Sequence, residues 1–206
     1  MGEGSFFVIL TEKGKNAAFC FKIGLHLDDI EVLEFIKDTL GFGGVFTHSN
    51  KVTFQVNKQS ELKILIDIFS RYTLNTTKYL NFLAFKKAFE LYTTNKSKSP
   101  EIMEEIKLLK NSMNSQRVMF KMPDDHKIRF NAYWVLGFIE GEGSFSIVKK
   151  NNYKLRFSIG QASRDISLME ALKEYFINLG VSHGLVASNL AFGLYRNYEG
   201  EGIQLA

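Results

Sequence analysis

Two glutamates lie in copies of the same short turn, far apart in the chain. The pentapeptide Gly-Glu-Gly-Ser-Phe occurs at residues 2–6 and again at 141–145, which makes Glu3 and Glu142 a matched pair of carboxylates. Hard divalent cations such as Mg²⁺ take carboxylate oxygens together with phosphate as ligands. If the fold brings the two turns together, Glu3 and Glu142 could therefore hold metal ions. The alternative is that each Gly-Glu-Gly merely ends a helix.

A second group of candidates lies on segments with the alternation of a β-strand. Residues 51–57 alternate, so that Val52, Phe54 and Val56 share one face and polar side chains share the other. The side chains that could reach phosphates and base edges are Lys51, Thr53, Gln55 and Asn57, with Lys22, and in the second half Lys154, Arg156 and Ser158. An ordinary solvated sheet face is the alternative for each. Four histidines share no metal-binding spacing and are assigned no role: His26, His48, His126 and His183.

The composition indicates a globular protein in a reducing environment. Of the 206 residues, 45% are hydrophobic and two are proline, which suits one large domain or two subdomains. The formal net charge of +4 favours a polyanionic partner only weakly. Cys20 lies in an apolar run, so we expect a buried small side chain and no disulfide. No segment reaches the roughly 18 apolar residues of a membrane helix, and no signal peptide is predicted.

The first half of the chain predicts the strands and helices that would position these residues. Strands are expected at 5–11, 17–24, 45–47 and 51–57, and helices at 30–40, 60–69 and 76–92. Asp28 and Asp29 can cap the first helix, and Gly41 can end it.

The second half repeats this order. Asn131 can cap a helix over 132–140. Strands are expected at 144–150 and 154–161, joined by a turn at 151–152. A helix from 164 to 179, ended by Gly180, and a strand at 190–195 follow. The recurrence predicts an α+β fold built from an internal repeat. We expect a first repeat at 1–94, a linker at 95–130 with a short helix from Pro100 to Asn111, and a second repeat at 131–206.

The run at 135–143 resembles the LAGLIDADG signature of homing endonucleases and intron maturases. The matching positions are Gly137, Ile139 and Gly143, with Glu140 and Glu142 in place of the family's usual aspartates. The Ser-Phe strand, the hairpin, the Phe-Ser-Ile-Gly-Gln segment at 157–161 and an acid-capped helix ending in Leu-Gly also recur in that family. The resemblance covers nearly the whole chain and is closest to fungal mitochondrial members, including maturase-like reading frames.

The resemblance implies two pseudo-symmetric halves that form a saddle, with sheets cupping DNA and signature helices paired at the centre. Gly137 and Gly141 are four residues apart, so a partner helix could approach that face closely. Trp134 and Phe138 complete the implied helix interface. The first repeat is expected to lack its signature helix, and the second is expected to be truncated at its C-terminus.

The resemblance also implies a catalytic set. Glu3 and Glu142 are the expected metal ligands and catalytic residues, one per repeat, with Mg²⁺ as cofactor. Lys78 is expected to polarise the scissile phosphate or its water, although it could be an ordinary exposed helix lysine. Gln161 matches a polar residue near the family's active site, whereas Leu25 stands at the equivalent place in the first repeat.

The implied function is site-specific double-strand cleavage of DNA for intron homing. The protein would then be a metal-dependent phosphodiester hydrolase. It would be encoded by the mitochondrial genome and located in the mitochondrion. Two alternatives stay open: an RNA-binding maturase that assists group I intron splicing without cleavage, and an inactive remnant. Without a partner helix, residues 132–140 would expose Trp134, Val135 and Phe138, so self-association through this helix is a further expectation.

Overall fold

The computed structural model describes residues 3–11, 14–95, 97–149, 153–182, 194–196 and 202–205. These residues form two compact units, one over residues 3–122 and the other from Pro123 onward. Each unit contains a four-stranded antiparallel sheet with helices packed on it. The α+β class predicted from the sequence is confirmed.

The first unit joins four strands and four helices. In chain order these are β1 (Gly4–Leu10), β2 (Ala17–His26), α1 (Ile30–Leu40), β3 (Gly44–His48), β4 (Lys51–Val56), α2 (Gln59–Arg71), α3 (Lys78–Thr94) and α4 (Pro100–Asn111). The strand order in the sheet is β1-β2-β4-β3. Short 3-10 turns at Leu27–Asp29 and Asn114–Gln116 complete the unit.

Local sequence explains where several elements begin and end. Gly41 ends α1 in the left-handed conformation with φ of 74°, which glycine adopts without a steric cost. The Ser99 side chain caps α4 by accepting from the N–H of Ile102, and Pro100 takes the first helical position. The alternation in β4 is confirmed, because Val52, Phe54 and Val56 are buried and their neighbours are not.

The core of the first unit is a cluster of phenylalanines between the sheet and its helices. Phe6 of β1 lies 5.1 Å from Phe21 of β2, measured between ring centroids. The same ring packs on Phe69 of α2 at 5.5 Å and on Phe85 of α3 at 5.2 Å. Helix α4 adds Met103 and Ile106 to this core, so the helix expected in the linker packs into the first unit.

The second unit repeats the arrangement of the first. It contains α5 (Ala132–Glu142), β5 (Gly143–Val148), β6 (Lys154–Ala162), α6 (Ile166–Ser182), β7 (Leu194–Arg196) and β8 (Gly202–Leu205), with a 3-10 turn at Ser163–Asp165. Its strand order, β5-β6-β8-β7, is that of the first sheet with each strand replaced by its counterpart. Among the described residues, its core contains Val135, Phe138, Ile159, Leu168, Met169 and Leu172.

Three details differ from the sequence-based expectations. Gly180 does not end α6, which continues in helical conformation to Ser182; glycine permits a left-handed turn without requiring one. Strand β8, which the sequence did not predict, pairs with both β6 and β7. The first helix begins only after a 3-10 turn, and Asp29 forms no side-chain cap. The turn expected at 151–152 lies outside the described residues.

Candidate functional site

The first acidic turn is held against the start of helix α3. Glu3 is exposed in a turn directly before β1, and Gly4, the first residue of that strand, is buried. The ammonium Nζ of Lys78 donates a hydrogen bond to the carbonyl oxygen of Gly4, with a donor–acceptor distance of 3.2 Å. Lys78 therefore lies beside the residue that follows Glu3, although the two are distant in sequence.

A hydrogen-bond network that sequence reasoning missed fastens this end of α3. The side-chain oxygen of Asn81 accepts from Arg117 Nε at 2.9 Å and from the backbone N–H of Asn114 at 3.2 Å. The amide of Asn114 donates to the carbonyl of Phe6 at 2.9 Å, and Arg117 also donates to the carbonyl of Leu80. Burial lowers the pKa of the Arg117 guanidinium. The segment after α4 thus ties α3 to β1 close to Lys78.

The second acidic turn connects a helix to a strand without a spacer. Asn131 caps α5, its side-chain oxygen accepting from the N–H of Trp134 at 2.8 Å. Glu142 is the last residue of the helix and is half-buried, and Gly143 begins β5. A Cβ on Gly143 would lie 2.5 Å from the carbonyl oxygen of Ile139, so this junction requires glycine. Glu3 and Glu142 belong to different units.

Helix α5 buries one face and leaves its glycines open. Val135 and Phe138 lie in the core of their own unit, and Trp134 is half-buried, stacked on Phe138 at 4.9 Å. The expectation that Val135 and Phe138 are exposed is therefore wrong, because strand β6 and helix α6 supply residues that cover them. A Cβ on Gly137 or Gly141 would meet nothing within 4 Å. The interface role of these glycines stays a prediction.

The polar candidates of the first sheet share one face in three cross-strand rows. Lys22 lies opposite Gln55, Gly24 lies opposite Thr53, and His26 lies opposite Lys51. Lys22, Thr53 and Gln55 are half-buried, and Lys51 is exposed. Asn57 follows the last residue of β4 and is exposed.

The candidates of the second sheet are less uniform. Ser158 lies opposite Ser144, Arg156 lies opposite Ser146 and Lys154 lies opposite Val148. Arg156 is exposed, whereas Ser158 is 7% exposed. Gln161 is half-buried and stands two residues beyond the buried Ile159, so it shares the core-facing side of β6.

Cys20 does not contribute a reactive group. It is buried, and burial raises the pKa of its thiol, an effect that the nearby charge of Lys22 partly offsets. The prediction of a small buried side chain is confirmed.

Within the described ranges, no group of three or more histidine, cysteine, aspartate or glutamate side chains could by itself hold a metal ion. None of the described helices is long and apolar enough to cross a membrane.

Comparison with known proteins places this geometry in a family. A family model described as LAGLIDADG endonuclease matches residues 1–89 and 135–190. The uncharacterized mitochondrial protein RF1 of Saccharomyces cerevisiae is 33% identical over 86% of this chain and 37% of its own length. The probable intron-encoded endonuclease Cox1-I1b of Schizosaccharomyces pombe is 31% identical over 88% of this chain and 48% of its own length. The chain thus spans less than half the length of these relatives.

Solved structures share the fold over almost the entire chain. The LAGLIDADG meganuclease I-AabMI bound to uncleaved DNA is 28% identical, with a TM-score of 0.76 over 99% of this chain and 74% of that one. The LAGLIDADG homing endonuclease I-SmaMI bound to cleaved DNA superposes with a TM-score of 0.81 at 24% identity, over 99% of this chain and 73% of that one. A further structure holds I-SmaMI on its uncleaved DNA target in the presence of calcium ions.

Proposed function

Because the chain belongs to the LAGLIDADG endonuclease family, we propose that it binds double-stranded DNA and cleaves both strands at a specific site, as an intron-homing endonuclease. One observation carries the proposal: each of the two sheets begins at a copy of the same glutamate turn, and both sheets have the same strand order. Cleavage of two strands requires catalytic groups for each strand, and the repeat supplies one matched glutamate for each.

Glu3 and Glu142 are the residues that would hold divalent metal. The donors at each turn are carboxylate and backbone carbonyl oxygens, the hard ligands that Mg²⁺ accepts together with phosphate. Glu3 is exposed and Glu142 half-buried, so both side chains are open to a ligand. When bound, such a metal supplies an activated water and stabilises the leaving oxygen of the phosphodiester.

Lys78 has a place in this chemistry. Its ammonium is already held at the carbonyl of Gly4, next to Glu3. A fixed positive charge there would attract the scissile phosphate and stabilise the negative charge that develops on it. We assign Gln161 a lesser role, in ordering polar groups near the second turn, since it lies half-buried on the core-facing side of β6.

The polar strand residues would contact the DNA. Lys22, Thr53 and Gln55 lie in neighbouring rows on one face of the first sheet, and a β-ribbon fits the major groove, where base edges differ in their donors and acceptors. In the second sheet, Lys154, Arg156 and Ser158 occupy alternate positions of β6. Asn57 extends the first set at the end of β4.

The test is cleavage of a plasmid library with randomised inserts by the purified protein. With Mg²⁺ we expect linear products whose ends fall at one sequence, and none when EDTA replaces the metal. The variant Lys78→Met should cut more slowly, because the positive charge that would stabilise the scissile phosphate is lost. Lys63→Met, at an exposed site on α2, is the matched control. If the protein yields no linear product while a known meganuclease cuts its own target, the proposal fails.

A second function, assistance to group I intron splicing, is favoured by the polar face of the first sheet, which does not depend on the acidic turns. Such a maturase would bind structured intron RNA through the same side chains, with an affinity that falls as salt rises. Disruption of the reading frame should then impair splicing of an intron. Normal splicing of every intron would eliminate this function.

We propose a location from the names of the relatives and an assembly from the open face of α5. The relatives are named as mitochondrial or intron-encoded proteins of fungi, and we assign this chain to the mitochondrion. The open face of α5 contains Leu136, Gly137 and Gly141, and could pair with the same helix of a second copy. Light scattering should then show a dimer at micromolar concentration, and a single monomeric species would oppose this pairing.

A further inference from the structure

Three basic side chains form one row at the end of the first sheet. In the antiparallel register, Lys51 of β4 lies opposite His26 of β2 on one side and opposite His48 of β3 on the other. All three residues are exposed. Since neighbouring strands are about 4.8 Å apart, the row spans roughly 10 Å. We refer to His26, Lys51 and His48 as the basic row.

The row gains little from its own cross-strand pairs. Opposite charges across a sheet stabilise it, and like charges directly opposite each other destabilise it. Lys51 has an imidazole on each side and, among the described residues, forms no salt bridge. A carboxylate beside the row is that of Asp28, whose Oδ2 lies 3.1 Å from His26 Nδ1. The arrangement presents N–H donors to a ligand from outside the fold.

The His26 ring is oriented to donate outward. Its Nδ1 faces Asp28, where it can accept from the backbone N–H at 3.4 Å or, when protonated, donate to the carboxylate. In both forms the other nitrogen, Nε2, carries a proton and can donate to an anion. The side chain of His26 is 53% exposed, so this donor is reachable.

The position of the row separates it from the base-reading candidates. Along β4, the first row contains Gln55 and Lys22. The next row contains Thr53, Gly24 and Phe46. The basic row lies two residues beyond Thr53, about 7 Å further along the strand. The two inner rows contain one ammonium, that of Lys22, together with amide, hydroxyl and aromatic groups that can distinguish base edges. The outermost row contains only cationic or N–H-donating groups, which suit phosphate oxygens.

We propose that the basic row binds a phosphate of the DNA backbone and positions the sheet in the groove without reading its sequence. This inference rests on the proposed DNA-binding function and adds to it two histidines outside the acidic turns. Lys51 is the main contact because its ammonium group stands at the centre of the row, between the two imidazoles. His48 comes next, and His26 contributes least because the negatively charged Asp28 carboxylate lies beside its ring.

Salt-dependent DNA affinity of the full chain tests the proposal. The probe is a fluorescently labelled duplex of mixed sequence, titrated at several salt concentrations with wild type, Lys51→Gln, His48→Gln and the charge-matched control Lys63→Gln. Each phosphate contact contributes about 0.9 to the slope of log affinity against log salt. We expect Lys51→Gln to lower the slope by about that amount, His48→Gln by less, and Lys63→Gln to leave it unchanged. Circular dichroism verifies that each variant is folded.

A second measurement separates phosphate contact from base contact. Duplexes selected by each protein from a randomised pool should have the same sequence preference for wild type and Lys51→Gln, whereas Gln55→Ala should change it. An unchanged salt slope in Lys51→Gln, or an altered preference, overturns the role of the basic row and leaves DNA binding intact. A wild-type protein that binds no duplex overturns the proposed function itself, and the basic row with it.

Discussion

The two sheets begin with the same Gly-Ser-Phe residues in the same register, yet their apolar faces are covered to different extents. Phe6 pairs with Phe21 and Val8 with Phe19 in the first sheet, as Phe145 pairs with Phe157 and Ile147 with Leu155 in the second. Phe6, Val8 and Phe19 are at most 5% exposed, whereas Phe145, Ile147 and Leu155 are at least 62% exposed. The part of this face formed by these residues is therefore core in the first unit and exposed in the second, where Ile159 of β6 is still buried.

The second layer accounts for this difference. In the first unit, Phe69 of α2 and Phe82, Phe85 and Phe89 of α3 cover the strands, with ring centroids within about 6 Å of Phe6 or Phe19. In the described part of the second unit, α5 and α6 cover Ile159 but leave Phe145 and Leu155 open. Alternation along a strand decides which side chains share a face, and packing of another layer decides whether that face is buried.

The largest effect that can test this contrast comes from truncating the paired phenylalanines. Phe6→Ala should destabilise the first unit by about 3 to 5 kcal/mol, because it leaves a cavity among packed rings. Phe145→Ala should cost under about 1 kcal/mol, since the removed ring is mostly in solvent. Hydrogen exchange resolved over 4–26 and 143–162 measures the two units separately. Equal losses in both units would show that the second face is covered in solution.

The next effect concerns the junction between α5 and β5, which contains the acidic turn of the second unit. Gly143→Ala should destabilise the second unit by about 1 to 3 kcal/mol, because its Cβ would meet the backbone of Ile139. Gly137→Ala, at an open helical position, should stabilise it by up to about 1 kcal/mol. Urea unfolding followed by the fluorescence of Trp134, the one tryptophan in the chain, isolates this unit. A tolerated Gly143→Ala would mean that the junction differs from the structure.

Helix caps provide a smaller comparison between the units. Asn131→Ala and Ser99→Ala each remove an N-cap, at a cost of about 1 kcal/mol. The loss should be greater for Asn131, whose bond to Trp134 N is 2.8 Å, than for Ser99, whose bond to Ile102 N is 3.4 Å. Unfolding of each variant, followed locally by hydrogen exchange, ranks the two. A larger loss at Ser99 would contradict this order.

The smallest effect is a dependence on pH in the first unit alone. A hydrogen bond from the Ser99 side chain, with one from the backbone N–H of Glu101, lowers the pKa of Glu101 from 4.5. A carboxyl group whose pKa is lower in the folded than in the unfolded state stabilises the fold at pH values above its unfolded-state pKa. This stabilisation is lost as the pH falls through the folded-state pKa. The cost of Ser99→Ala should therefore shrink in acid, while that of Asn131→Ala stays constant. The free energy of unfolding of each variant, measured at neutral and acidic pH, gives the two costs. If the costs of Ser99→Ala and Asn131→Ala change equally with pH, Glu101 does not explain the change.

Much of the fold was predictable because it rests on local patterns. The repeat, the alternation at Val52, Phe54 and Val56, the left-handed Gly41 and the cap at Asn131 all depend on residues close in sequence. Strand β8 was not predictable, since its four residues carry little alternation and gain their partners from distant strands.

The features of the candidate site likewise divide into those predictable from local sequence and those that depend on the tertiary fold. The glutamate turns and polar strand faces are readable from spacing. The network of Asn81, Asn114 and Arg117, and the bond from Lys78 to Gly4, join segments far apart in the chain and follow only from the tertiary fold. The burial of Phe138 has the same origin, because its neighbours come from β6 and α6.

The most direct test of the account compares Glu3→Gln and Glu142→Gln in DNA cleavage with Mg²⁺, with Glu174→Gln as an exposed control on α6. If each turn supplies a metal-binding carboxylate for the cleavage of one strand, each of the first two variants should lose double-strand cleavage by about 100-fold or more, while duplex affinity is retained. Glu174→Gln should cut as wild type does. Undiminished double-strand cleavage by either Glu3→Gln or Glu142→Gln would contradict the pairing of the repeated turns.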